Sequence, residues 1–159
     1  MRKLSIYVET SVWSQALADD APQLRAATED FLAEAKRGKY DLFISEVVTE
    51  EVARASEETT KRLQELIAEH KPAFLELNEE ALLLSLEYLH NGAVPPSKVD
   101  DARHVAVAVS NDLDVLVSWN YKHLVNVRRR EMFHQISVMN GFYKPLQIVA
   151  PPEVTDEIQ

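Results

Sequence analysis

The 159-residue chain contains no cysteine, which excludes disulfides and thiolate-held metals. No apolar run is long enough to cross a membrane. The opening "MRKLSIYVETSVW" reaches Glu9 before a useful apolar core develops, so no export signal is expected and a cytoplasmic location follows as the default. Neither an internal repeat nor a low-complexity tract occurs. Positive charge is also in short supply. Seventeen Lys and Arg stand against 26 Asp and Glu, a formal net charge of −9. Such a chain is not an obvious nucleic-acid binder, because counterion release at phosphates needs Lys and Arg. Totals do not decide the matter, since partners respond to local patches. Acids gathered around a metal would add to the negative balance, and a basic partner protein would suit such a surface.

What is present is an ordinary globular composition, 46% hydrophobic and 27% charged, of a size for one core. The pattern predicts strands over 3–8 ("KLSIYV"), 41–45 ("DLFIS"), 73–77 ("AFLEL"), 114–119 ("DVLVSW") and 146–152 ("LQIVAPP"). Between them it predicts helices over 21–39, 46–55, 59–70, 78–92, 100–112 and 126–141, with Asn78 a cap and Gly38 and Gly92 stops. Residues 94–98 read as a loop. Strands alternating with helices predict an α/β fold, a three-layer αβα sandwich with a mainly parallel central sheet, in a single domain over 1–159. The acidic tail, about 153–159, is expected to fray.

In such sheets ligands bind outside the carboxyl ends of the strands. Glu9, in "IYVETSVW", ends the first strand. It is either a catalytic carboxylate or an exposed neighbour of a helix capped by Thr10 or Ser11. Asn120, after "DVLVSW", has the same placement, with a turn residue as the plain alternative. In "EVVTEEVARA", Glu51 leans toward the apolar set Val48, Val52 and Ala55, while Glu46 and Glu50 look solvent-facing. Asp101 opens a helix too apolar to be exposed, although Asp100 or Asp101 could equally be its N-cap. His104 and His123 read as packing or surface histidines, and Trp119 as core. Glu9, Glu51, Asp101 and Asn120 together are all oxygen donors, three of them carboxylates. Such a set suits Mg²⁺ or Mn²⁺ rather than zinc. Close carboxylates repel one another unless a cation or protons neutralise them. The one dense basic segment, Arg128, Arg129 and Arg130, follows soon after in "NVRRREMFH". A helix starting there would offer its first amides to a phosphate. The bland alternative is a solvated helix face or an interface.

At these residues the chain resembles the PIN-domain family, and within it the VapC-like toxins of toxin–antitoxin pairs. "YVETSVW" stands where the family has a strand leading into Asp-Thr-Ser or Asp-Thr-Asn. In "ISEVVTEEV", Ser45 leads six residues on to Glu51. "DARHVAVA" matches Asp-Ala-x-His-x-Ala at Asp101, Ala102, His104 and Ala106. "LVSWNYKHL" places Asn120 at the fourth site, and the closing "NGFYKPLQIVAPPE" looks like the end of one branch of the family. Two departures stand out: Glu9 replaces the usual Asp, and Asn120 replaces an Asp found in many members. The extra methylene of Glu9 could shift a metal, and Asn120 removes one negative charge. The resemblance implies a metal-dependent endoribonuclease hydrolysing RNA phosphodiester bonds. Glu9, Glu51 and Asp101 would hold Mg²⁺ or Mn²⁺, and Asn120 would complete the ring or orient a water. Thr10 or Ser11 would bond a metal water or a substrate phosphate. It further implies a homodimer and a small antitoxin partner covering the acidic cleft. The alternative is a catalytically impaired PIN-like binding module. A haloacid dehalogenase-type phosphohydrolase would need an Asp at 9 and another at 11, where Glu9 and Ser11 stand.

Overall fold

A computed structural model describes residues 2–155. Five strands form one wholly parallel sheet: β1 (Leu4–Val8), β2 (Tyr40–Ser45), β3 (Ala73–Leu75), β4 (Val115–Val117) and β5 (Gln147–Val149). Their spatial order is β3-β2-β1-β4-β5. The chain first winds from β1 outward to β3, then returns to β4 on the other side of β1. Right-handed crossovers in opposite directions put their helices on opposite faces of a sheet. The packing agrees. Helices α1 (Thr10–Leu17), α2 (Pro22–Lys36), α3 (Glu46–Ala53) and α4 (Glu57–His70) contact one another. Helices α5 (Glu79–His90), α6 (Val99–Ser110) and α7 (Val127–Met139) form the second group. This is the three-layer α/β arrangement the alternation predicts.

The core follows from the sequence pattern. Ile6, Tyr7 and Val8 of central β1 are fully buried, as both faces of a covered parallel strand must be. Helix α6 packs against α5, α3 and β4, which is why it can be apolar nearly all round. Ala102, Val105, Ala106, Val107 and Ala108 are all fully buried. Each such valine is worth roughly 1.5–2 kcal/mol in transfer from water, and the alanines let the neighbouring elements approach closely.

Helix starts differ from expectation at α1 and α6. The stretch after β1 is a helix, α1, whose N-cap is Glu9 itself rather than Thr10 or Ser11. Asn78 caps α5 as expected, accepting from Ala81 N at 2.9 Å. Helix α6 starts earlier than "DDAR", with Lys98 in the cap position and no side-chain cap. Asp100 and Asp101 both lie within its first turn, so neither is the cap. Glu46 is not solvent-facing: it is half-buried and accepts the Leu77 N–H, tying β3's exit to the start of α3. At the carboxyl terminus a single 3₁₀ turn, Pro151–Glu153, is anchored, with Val154 O accepting from Tyr40 Oη at 3.2 Å. Of the tail expected to fray, residues 156–159 lie outside the described residues. Among the described residues no helix is long and apolar enough to cross a membrane.

Candidate metal centre

The reversal of strand order falls between β1 and β4. There the helices leave opposite faces and a crevice opens beyond the carboxyl ends of both strands. Val8 pairs with Val117, and Glu9 N donates to Val117 O at 3.1 Å. Glu9 and Ser118 therefore emerge side by side into that crevice.

Glu9 is 5% exposed and tightly held. Its Oε1 accepts from Ser11 Oγ (2.6 Å) and Ser118 Oγ (2.5 Å), and its Oε2 accepts from Ser11 N (3.0 Å). Each serine oxygen in turn accepts a backbone N–H, from Trp119 to Ser11 and from Asn120 to Ser118, both at 2.9 Å. Those bonds occupy the oxygen lone pairs and turn the hydroxyl hydrogens toward the carboxylate. The plainer alternative, an exposed Glu9 beside a helix capped by Thr10 or Ser11, does not hold: Glu9 is buried and is itself the cap. Glu9 caps α1 with Oε2 and presents a carboxylate at the strand end.

Glu51 comes from the second turn of α3. Its Oε1 accepts from Thr10 Oγ1 at 2.6 Å and lies 2.5 Å from His104 Nε2. His104 is fully buried, and its Nδ1 is 2.6 Å from Tyr7 Oη, which is 2.7 Å from Ser45 Oγ. Glu51 has only acceptor oxygens, so His104 Nε2 carries the proton. In the neutral ring Nδ1 then accepts from Tyr7. A buried chain Ser45–Tyr7–His104 thereby fixes the Glu51 rotamer. The ligand-capable atoms of Glu9, Glu51 and His104 lie within 4.8 Å of one another.

Asp101, 9% exposed, faces the same crevice from the first turn of α6. Its Oδ2 lies 3.4 Å from Asn120 Nδ2 and 3.5 Å from His123 Nδ1. Asn120 Oδ1 accepts from His123 N at 3.0 Å. The amide oxygen of Asn120 is therefore occupied by a turn, and its nitrogen points to Asp101. Here Asn120 orients an acid.

The electrostatics single out Asp101. Burial, reinforced by the charges of Glu9 and Glu51 against the pull of His104 and Lys98, pushes its carboxyl up to about 6. Burial alone would raise Glu51 too. The hydrogen bonds from His104 and Thr10 and the charges of His104 and Arg54 outweigh it, and Glu51 stays below its ordinary value. His104 is the complement. Burial would lower its pKa, but the Glu51 hydrogen bond and the charges of Glu9, Glu51 and Asp101 raise it. Two carboxylates, Glu9 and Glu51, thus gather with His104, and Asp101, outside that group, lies near enough to feel both charges.

That donor set fits a hard divalent cation. Among the described residues no hydrogen bond falls on Glu51 Oε2 or Asp101 Oδ1, and Glu9 Oε2 accepts only one. Each acid keeps lone pairs for a metal while a hydrogen-bonded partner fixes its other oxygen, as ligating carboxylates are commonly supported.

Thr10 and Ser11, expected to reach a metal water or a phosphate, instead donate to Glu51 and Glu9. The three arginines diverge. Arg129 Nη1 donates to Ala93 O at 3.0 Å and Arg130 Nη1 to Ile148 O at 2.9 Å, while Arg128 is exposed. Asn126 Oδ1 caps α7 by accepting from Arg128 N and Arg129 N, so those amides are already taken. Sequence reasoning missed Tyr7 and Ser118, quoted Ser45 and His104 only as parts of family motifs, and read His104 as a packing or surface histidine, whereas it belongs to the centre. A signal existed: His104 is i+3 from Asp101, on the same face of α6.

The fold and this crevice define an α/β protein with an acidic, cation-suited centre at its topological switch point. The PIN domain family matches residues 6–126, and the chain belongs to that family. PIN domains are generally metal-dependent nucleases. A search of curated proteins found no match to the chain.

Proposed function

We propose that the protein is a Mg²⁺- or Mn²⁺-dependent endoribonuclease. The observation that carries this reading is the gathering of the Glu9 and Glu51 carboxylates with His104, their ligand-capable atoms within 4.8 Å of one another, with the buried Asp101 carboxylate close enough for their charges to raise its pKa. A bound divalent cation supplies Lewis acidity toward a phosphoryl oxygen and makes water a nucleophile near neutral pH. The chain's own residues hold and aim that chemistry. Ser11 and Ser118 fix Glu9, Thr10 and His104 fix Glu51, and Asn120 and His123 flank Asp101. Ser11 and Ser118 hold the longer carboxylate of Glu9 at the strand end.

A toxin of a toxin–antitoxin pair, acting in the cytoplasm as a homodimer restrained by a small antitoxin, is the particular role we propose. The exposed apolar side chains Leu83 and Leu86 of α5, Met139 of α7 and nearby Tyr143 favour a protein partner on that side. Incubating purified protein with RNA and Mn²⁺, and mapping the product ends by sequencing, tests the nuclease reading. Cleavage that chelator and Asp101→Asn both abolish supports it. A folded, metal-binding wild type that leaves RNA intact would favour the impaired binding module.

A further inference from the structure

Two carboxylates and an imidazole whose ligand-capable atoms lie within 4.8 Å of one another also make a donor set for zinc. Mn²⁺ stands lowest among the first-row divalent metals in affinity for such sites, so a preference for hard cations has to be built in. His104 is where it is built. An imidazole ligates through a bare ring nitrogen. Its Nε2 is the atom that faces the acids, 2.5 Å from Glu51 Oε1 and 4.0 Å from Glu9 Oε2, whereas Nδ1 faces Tyr7. Whether His104 can hold a metal at this centre therefore depends on which nitrogen carries the proton.

That proton is placed from a distance. Val47 N, in the first turn of α3, donates to Ser45 Oγ at 3.1 Å. A backbone amide only donates, so this end of the chain of bonds has a fixed direction. Among the described residues the one other partner of Ser45 Oγ is Tyr7 Oη, 2.7 Å away, and the Ser45 hydroxyl donates to it. Tyr7 in turn donates to His104 Nδ1 at 2.6 Å, which leaves the ring proton on Nε2, aimed at Glu51. Ser45, Tyr7 and His104 are fully buried, so no solvent replaces a missing partner. The opposite tautomer would reverse two links. Nδ1–H would donate to Tyr7 and Tyr7 to Ser45, and the Ser45 hydrogen would have no acceptor. A buried donor left unpaired disfavours that arrangement by roughly 5- to 150-fold.

We infer that the buried Val47–Ser45–Tyr7–His104 relay determines metal specificity: it holds His104 as a hydrogen-bond donor, keeps the imidazole out of the cation's ligand set, and so disfavours Zn²⁺ against Mg²⁺ and Mn²⁺. This rests on the cation site of the proposed nuclease and deepens that reading. With Nε2 protonated, the cation meets oxygen donors alone, the set that hard cations prefer. A zinc ion that recruited His104 would first have to turn the relay around. Tyr7 is the specificity-determining residue, because its hydroxyl links the fixed end to the ring. Ser45 has a second duty as the cap of α3, so it is the poorer residue to change.

The test begins with the wild type. Long-range ¹H–¹⁵N NMR of the apo protein is expected to show His104 protonated on Nε2 alone. X-ray absorption at the zinc edge of the Zn²⁺-loaded protein is expected to show no imidazole around the metal. A proton on Nδ1, alone or together with one on Nε2, would overturn the inference, and so would an imidazole bound to zinc. These spectra decide the question even where a variant folds poorly. Tyr7→Phe then removes the link while keeping the ring. By calorimetry, the ratio of Zn²⁺ to Mn²⁺ affinity should rise by roughly 5- to 150-fold, and an imidazole should appear in the zinc spectrum. An unchanged ratio in folded Tyr7→Phe would overturn the inference. Tyr88→Phe is the control. It removes another fully buried hydroxyl, 2.7 Å from Ser137 Oγ and outside the centre, and should leave the ratio as it is. An equal rise there would mean general loosening and would also overturn the inference. Cleavage is scored separately. RNA left intact by Mn²⁺-bound wild type removes the nuclease and keeps the selectivity, whereas a wild type that binds neither metal removes the cation site and the inference with it.

Discussion

Buried carboxylates sit at both ends of the β1–β4 pair, and they are treated in opposite ways. At the amino edge, Asp114 is 8% exposed and enclosed by cations and donors. Arg2 binds it through both Nη atoms at 2.6 and 2.8 Å, and Lys144 Nζ lies 3.0 Å away. Ser5 contributes its N–H at 2.8 Å and its hydroxyl at 3.0 Å. The Arg2 hydrogen bond, followed by those of Ser5 and Lys144, overcomes burial and holds Asp114 well below the usual carboxylate range. At the carboxyl edge, Glu9 and Asp101 are as buried as Asp114, yet hydroxyls, amides and histidine replace the cations. Asp101 moves the other way, to about 6. The first group is satisfied by the protein and locks two strands together. The second is left short of positive charge where a ligand can supply it. Burial alone therefore does not mark a functional acid; missing compensation does.

The comparison is broken most sharply by substitution. Asp101→Asn and Glu51→Gln are each expected to lower the RNA cleavage rate by more than about 100-fold while the circular dichroism spectrum stays native. Glu9→Ala should be equally inactive. Glu9→Asp should keep metal-dependent cleavage, and its loss would show that the serine grip, rather than the carboxylate alone, sets the geometry. One step further out, His104→Gln removes the donor that fixes Glu51. Metal affinity by calorimetry should fall about 10- to 100-fold, and unchanged affinity would reduce His104 to packing.

Stability separates the two edges by sign. Asp114→Ala should cost about 1–3 kcal/mol in urea unfolding at pH 7 with metal affinity unchanged. The Asp114 contribution is present above its ordinary pKa and is lost as pH falls toward its depressed folded value. Asp101 runs in reverse. With its folded pKa raised, its contribution is fully present below about pH 4 and is lost as pH rises through about 6. Apo Asp101→Asn should therefore gain about 1–2 kcal/mol at pH 7.5, discounted for solvent screening, and gain nothing near pH 4. A loss at pH 7.5 would make Asp101 structural after all.

Much of this was legible in the residues, for identifiable reasons. Runs such as "SIYV" and "DVLV" read as buried strands, and the near-unbroken apolar face of α6 fixed its place between α5 and the sheet. Glu9, Glu51 and Asp101 were findable because strand ends and helix faces follow short periods. Less legible were interactions made across the fold. Ser118 meets Glu9 and Tyr7 meets His104 at separations of about a hundred residues, which no local period records. The Asn120 amide could be placed at the site, but its direction depends on the His123 N–H in the following turn. Glu46 looked solvent-facing until β3 brought Leu77 beside it.

The central claim is that the acids beyond β1 and β4 form a divalent-cation site whose repulsion the cation relieves. Titrating Mn²⁺ into the apo protein at pH 6, by calorimetry in buffers of different ionisation enthalpy, tests it most directly. The account predicts saturable binding that releases about half a proton per ion, from Asp101 near its pKa of about 6. In Asp101→Asn that proton release should vanish and the affinity drop. Wild-type binding no tighter than that of Asp101→Asn, with no proton released, would contradict it.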